Sequence, residues 1–174
     1  GLELALERLA GVAREALWWR DAARPAELLT AGEAVMASGY NGRFFAAAAA
    51  GAPIEILWDG ALLEHETWGI VRGTPRREAA AEFIRFATAT GPLVDQARII
   101  AYGPARRSAA RRVTTHADSG MDMRPHIPTH PLNRRRALTK DVAWYAAVYD
   151  RIREHFRSWL ADIGAAPAGR GTQE

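Results

Sequence analysis

Three short apolar stretches limit what this chain can fold into: Ala34-Val35-Met36-Ala37, Ile54 to Trp58, and Thr67 to Val71. The first is a continuous apolar run, as in a strand buried on both faces. In the second, Ile54, Ile56 and Trp58 alternate with Glu55 and Leu57, the period of a half-buried strand. Longer stretches with a helical period surround all three. Alternating helix and strand predicts α/β layering. Three strands are few beside about six helices, so the expected sheet is thin and calls for a partner segment.

The helices are read from period and punctuation. Leu2, Leu6, Leu9 and Ala13 predict a helix over 2–20. Pro25 at a first helical position and Gly32 as a stop bound a second over 26–31. Asn41-Gly42 is a turn signal, followed by a helix over 43–50 with Gly51 as its stop. Thr74-Pro75 opens a helix whose apolar face is Ala80, Phe83, Ile84 and Ala87, and Pro92 opens another to Ile100. The segment 114–138, with Pro125, Pro128 and Pro131, has little periodicity and is expected to be a surface connection. A last helix over 139–163 should bury Tyr145, Val148, Tyr149, Ile152, Phe156 and Trp159. The tail from 164 to 174 is expected to be disordered. Trp18, Trp19, Trp68, Trp144 and Trp159 are read as packing residues.

With 174 residues, 48% of them hydrophobic, the chain can bury an ordinary core. No apolar run approaches the roughly 20 residues of a membrane span. Cysteine is absent, which excludes disulfides, thiolate metal sites and a cysteine nucleophile. The net charge of +3 is uneven: residues 1–66 hold 5 Arg against 10 Asp and Glu, and the remainder holds 18 Lys and Arg against 10. The acidic part could attract cations. The basic part, with Arg106-Arg107, Arg111-Arg112 and Arg134–Arg136, keeps open an alternative: a basic α/β module that binds nucleic acid or a protein partner through arginines. Interleaved aromatics are missing from those groups, so a solvated face is the plainer reading and no nucleic acid is expected.

Catalytic patterns fail on inspection. His65-Glu66 begins like a zinc-protease motif, but Gly69 stands where the second histidine is needed. His126 and His130 are four apart, with prolines that forbid the helix needed to align them. Ser38 and Ser108 lie in no nucleophile elbow, and no phosphate-cradling glycine loop is present. No enzyme, metal or cofactor is expected. What remains is the stretch Ser38–Gly60, where two strand ends each set an aromatic beside a polar group, Tyr40 with Asn41 and Trp58 with Asp59. These are either core aromatics or the wall of a cleft for a small polar or cationic ligand.

The ordered string WW, PAELLTAGEAVMASGYNGR, IEILWDG, TWGIVRGTP, AAEFIRFAT, YGPARRSA over about residues 1–160 resembles the C-terminal half of periplasmic solute-binding proteins of ABC transporters, the spermidine/putrescine-binding type within extracellular solute-binding protein family 1. The resemblance implies a partial periplasmic-binding-protein type II fold. Residues 1–65 and 110–163 would build the second lobe, and 66–109 a helical segment of the first. Most of the first lobe would be encoded upstream of Gly1, and a chain without it is expected to bind weakly and to self-associate. By the same resemblance the ligand-binding residues are Tyr40, Asn41, Trp58, Asp59, Glu66 and Tyr102, with Glu66 at a position usually held by aspartate and Arg24 where glutamine is frequent. The implied ligand is a small cationic solute, a polyamine such as spermidine or putrescine. The implied partner is a membrane permease, and the implied location of the full-length form is the periplasm, or the cell exterior on a lipid anchor. Aromatic faces cover methylenes and attract ammonium groups, at about 0.5–2 kcal/mol per contact. Carboxylates add charge-assisted hydrogen bonds.

Overall fold

A computed structural model of the chain describes residues 1–165. The chain divides into two compact units: Gly1–Pro25 with the chain from Lys140 onward, and Ala26–Thr139.

In the first unit, α1 (Leu2–Ala10) meets α8 (Val142–Asp162). The helix expected over 2–20 stops at Ala10. Beyond it the amides of Val12 and Glu15 bond three residues back, to Leu9 and Val12, so tight turns replace the helix at the poor helix formers Gly11 and Val12. Asp141 caps α8 by accepting from the Trp144 amide at 2.9 Å. Half-buried aromatics pack here beside the buried Ala13 and Leu160. Trp18 meets Phe156 and Trp159 edge-on at 5.7 and 5.8 Å, and its indole N–H donates to the Ala13 carbonyl at 3.2 Å. Of the expected α8 stripe, Tyr149 is exposed and the other five are half-buried, while the buried residue of α8 is Leu160, outside that stripe. Trp144 and, in the other unit, Trp68 are also exposed rather than packed away.

The second unit holds α2 (Arg24–Thr30, which starts at the boundary), α3 (Asn41–Ala49), α4 (Arg77–Ala87), α5 (Thr90–Ala97), α6 (Arg107–Ala110) and α7 (Pro131–Arg134). Its core joins Phe45 of α3 to Leu93, Val94 and Ala97 of α5, Ala109 of α6, and Ala101, Val113, Met123 and Ile127. Gly51, at φ +97°, ends α3 with the two bonds of a left-handed cap: its own amide to Ala48 and that of Ala52 to Ala47. Gly32, at φ +71°, ends α2 in the same way, through Leu29 and Leu28.

Three expectations need correction. None of the three predicted strands has a ladder partner among the described residues. The strands present there are β1 (Leu62–Leu63) and β2 (Leu138–Thr139), a parallel pair with Leu62 opposite Leu138. The segment 53–58 keeps its alternation, with Ile54, Ile56 and Trp58 half-buried between exposed neighbours, whereas Val35 is 96% exposed. A strand exists by pairing, and local pattern alone does not supply the pair. Second, Asn41-Gly42 is the first turn of α3, entered from an extended Tyr40 (φ −79°, ψ 126°), and not a separate turn. Third, the segment 114–138 is no mere surface connection, since Met123 and Ile127 lie in the core. On α4, Phe83 is 53% exposed and meets Trp68 edge-on at 5.6 Å. The tail expected from residue 164 lies outside the described residues from 166 onward.

Candidate functional site

The start of α3 gathers several of the expected residues. Asn41, the first helical residue, points its amide nitrogen at two backbone carbonyls from distant parts of the second unit. It donates to Ala101 at 2.5 Å and to His126 at 3.4 Å. The first bond brings the Tyr40-Asn41 pair beside Ala101-Tyr102. Tyr102 lies directly over the next helical residue: a Cβ built on Gly42 would stand 2.7 Å from Tyr102 Cε1 and 3.0 Å from Cζ. Only glycine leaves room for this ring. Tyr40 is 54% and Tyr102 36% exposed, so both residues present surface to solvent.

Trp58 joins the same neighbourhood. Its indole N–H donates to the Pro125 carbonyl at 2.7 Å, one residue before the carbonyl held by Asn41. Asp59 makes an exposed ion pair with Arg136 at 3.0 Å, and the Gly60 amide bonds the Arg136 carbonyl at 3.1 Å, so the 58–60 turn is tied to the chain leading into β2. Glu66 is exposed, and no hydrogen bond or ion pair joins it to the other five among the described residues. The structure thus joins Asn41, Trp58 and Tyr102 around one network, with Tyr40 and Asp59 next to them in sequence, and leaves Glu66 outside it.

The sequence did not announce the centre of that network. Carbonyls 124 to 127 run in succession, and each accepts from a side chain. Asn133 Nδ2 serves Arg124 at 2.9 Å, Pro125 at 3.3 Å and Ile127 at 2.8 Å, while Trp58 and Asn41 take Pro125 and His126. Asn133 is the buried polar residue of this unit, and satisfied donors are the condition for its burial. Nothing in the pattern of a short proline-bounded helix marks such a role. His126 and His116 set their rings against Phe45 at 5.1 and 5.2 Å. Burial lowers the pKa of His126, and nearby Asp122 opposes that shift more weakly. Arg124 donates to Asp122 and holds that carboxyl at about 2. The buried Nδ1 atoms of His126 and His130 and the Thr129 hydroxyl have no hydrogen-bond partner. Among the described residues, no three His, Cys, Asp or Glu side chains stand close enough to hold a metal.

The fold places the chain among periplasmic binding proteins. It superposes with a TM-score of 0.76 on the periplasmic binding protein AgtB of A. tumefaciens R10 in complex with agropinic acid, at 27% identity over 92% of this chain and 49% of that one. An ABC transporter substrate-binding protein from Bradyrhizobium japonicum shares the fold with a TM-score of 0.79, at 23% identity over 91% of this chain and 49% of that chain. The chain belongs to the bacterial extracellular solute-binding protein family, whose model matches residues 1–128. It is similar to the gamma-aminobutyric acid-binding protein of Pseudomonas aeruginosa, 30% identical over 161 residues, which are 92% of this chain and 44% of that protein. It therefore spans about half the length of the relatives it matches.

Proposed function

We propose that this chain works in the substrate-binding component of an ABC transporter, captures a small solute bearing an ammonium group, and presents it to a membrane permease. The solute class is a polyamine such as spermidine or putrescine, and the setting is the periplasm or a lipid anchor at the cell surface. The mechanism is capture by lobe closure, with no covalent chemistry. The lobe assignment, 1–65 with 110–163 against 66–109, belongs to this proposal.

The observation that carries it is the pair of part-exposed rings, Tyr40 and Tyr102, set beside the two residues joined by the Asn41–Ala101 hydrogen bond. Such rings can cover methylenes and attract a cation between them. Trp58, its ring plane set by the Pro125 carbonyl, offers a third face. Asp59 and the exposed Glu66 are the carboxylates within the expected set. A second reading has one observation behind it. Asp59 is already paired with Arg136, so a cation stands ready for a ligand carboxylate. An amino acid like that named for the Pseudomonas aeruginosa relative would use both signs.

Saturation-transfer NMR of the protein with putrescine, spermidine and γ-aminobutyrate tests these readings and detects weak binding. The proposal expects saturation of the polyamine methylenes and its loss in Tyr40→Ala. A response to γ-aminobutyrate alone would favour the second reading. No response to any amine, with salt-dependent binding to duplex DNA, would overturn both.

A further inference from the structure

We infer that Asn41 is a positioning residue for Tyr102 and not a donor to the ligand. The inference rests on the proposed binding role of Tyr102. A primary amide nitrogen carries two hydrogens, and the Asn41 nitrogen faces two acceptors, the carbonyls of Ala101 and His126. No donor is left for a solute. Ala101 is fully buried, so the bond anchors an immobile point of the chain, and the next residue is Tyr102. From that anchor the Tyr102 ring lies over Gly42, itself the next residue after Asn41. One side chain thereby joins the first turn of α3, the 101–102 segment and the clamped carbonyl run 124–127, and the ring's place over the helix follows from this tie. Trp58 and Asn133 hold the same run from other sides, so removing Asn41 cuts the tie between the start of α3 and the 101–102 segment without dissolving the run.

Two substitutions separate positioning from contact. Asn41→Asp keeps an acceptor and adds negative charge but loses both donors. A residue that touched an ammonium group would tolerate this change or gain from it. A positioning residue would not, because the carboxylate faces two carbonyls. We expect Asn41→Asp and Asn41→Ala each to weaken spermidine binding by about 5- to 30-fold, and neither to weaken it further in a Tyr102→Ala background.

A ligand-free readout accompanies this. The Gly42 α-proton that points along the Cβ direction lies against the Cε1–Cζ end of the Tyr102 ring, and its ring-current shift should vanish in Asn41→Asp, in Asn41→Ala and in Tyr102→Ala alike. The Phe45–His116 ring signals, which belong to the core, should persist. Retention of the Gly42 shift in the Asn41 variants, or spermidine binding by Asn41→Asp at wild-type strength, would overturn the inference. If spermidine fails to bind the wild type, the ligand proposal falls, and the Gly42 shift alone decides the role of Asn41. Should the Asn41 variants not fold, exchange of the wild-type Asn41 side-chain amide decides it: protection supports the tie, and exchange at the rate of a free amide refutes it.

Discussion

Replacing Asn133 with alanine should cost far more than its place in a four-residue helix suggests. The two hydrogens of its amide nitrogen face three carbonyls, the longest contact being that to Pro125. Pro125 would keep its bond from Trp58 and Ile127 its bond from the His130 amide, so the Arg124 carbonyl loses its partner and Ile127 one of two. The Ile127 carbonyl is buried and keeps the His130 amide, so the loss of its second bond costs about 0.5–1.5 kcal/mol. The Arg124 carbonyl is partly exposed and can turn to water, so its loss is about 0.5–1.5 kcal/mol. Together these make about 1–3 kcal/mol, a sizeable share of the roughly 5–15 kcal/mol that holds a domain together. In a chain of this length the melting temperature should fall by roughly 2–12 °C. Urea unfolding followed through the Trp58 indole N–H signal reports on this unit. The neighbour Leu132 is exposed, and Leu132→Ala should stay within about 0.5 kcal/mol. A loss below that bound in Asn133→Ala, with an unchanged denaturant slope, would refute the claim that the carbonyl run depends on Asn133.

Other outcomes follow from the same geometry. Gly42→Ala should leave stability unchanged or raise it by up to about 1 kcal/mol through helix propensity, while the new Cβ displaces Tyr102 and weakens amine binding; unfolding and titration of one variant read both effects. Trp18→Ala removes two edge contacts and a hydrogen bond from the first unit and should destabilise it by about 1–3 kcal/mol, measured by urea unfolding. Stability should also depend on pH in two windows. His126 titrates below the ordinary histidine value of 6.5 because burial disfavours its charge, so the unfolded chain binds the proton first and the urea midpoint should drop as pH falls through 6.5. The Arg124-paired carboxyl of Asp122 contributes above the ordinary value of 3.8, and that contribution drains as pH falls toward about 2; carboxyl NMR titration measures it.

Much of the helical frame was legible. Pro25, Gly32, Gly51 and Pro92 punctuate α2, α3 and α5 because each fills a backbone need that is local: a missing amide, a fixed φ or a positive φ. Long α8 was visible from its aromatic period. The ladder was not legible. The extended pattern at 54–58 reports which residues turn inward, and nothing in it reports a pairing partner. The actual pair, two residues at 62–63 and two at 138–139, lies about 75 positions apart in sequence and is too short to leave a pattern. The site was half legible. Tyr40 and Asn41 stood out as an aromatic beside a polar group and Tyr102 through a family resemblance, and the Asn41–Ala101 bond brings their segments together. Gly42 looked like a turn residue, yet it is the space under a ring. The 124–127 carbonyls and Asn133 escaped because backbone acceptors carry no sequence signal and one asparagine looks like any other. The exposed face of α4 shows the limit of periodicity, which predicts an apolar side and not what covers it.

The central claim is that Tyr40 and Tyr102 form the surface that meets an ammonium-bearing solute. Isotope-filtered nuclear Overhauser spectra of ¹³C-labelled protein with unlabelled spermidine test it most directly. The account predicts cross-peaks from the spermidine methylenes to the ring protons of both tyrosines, and none to the exposed ring of Trp144. Cross-peaks confined to other residues, or none with either tyrosine at saturating spermidine, would contradict it.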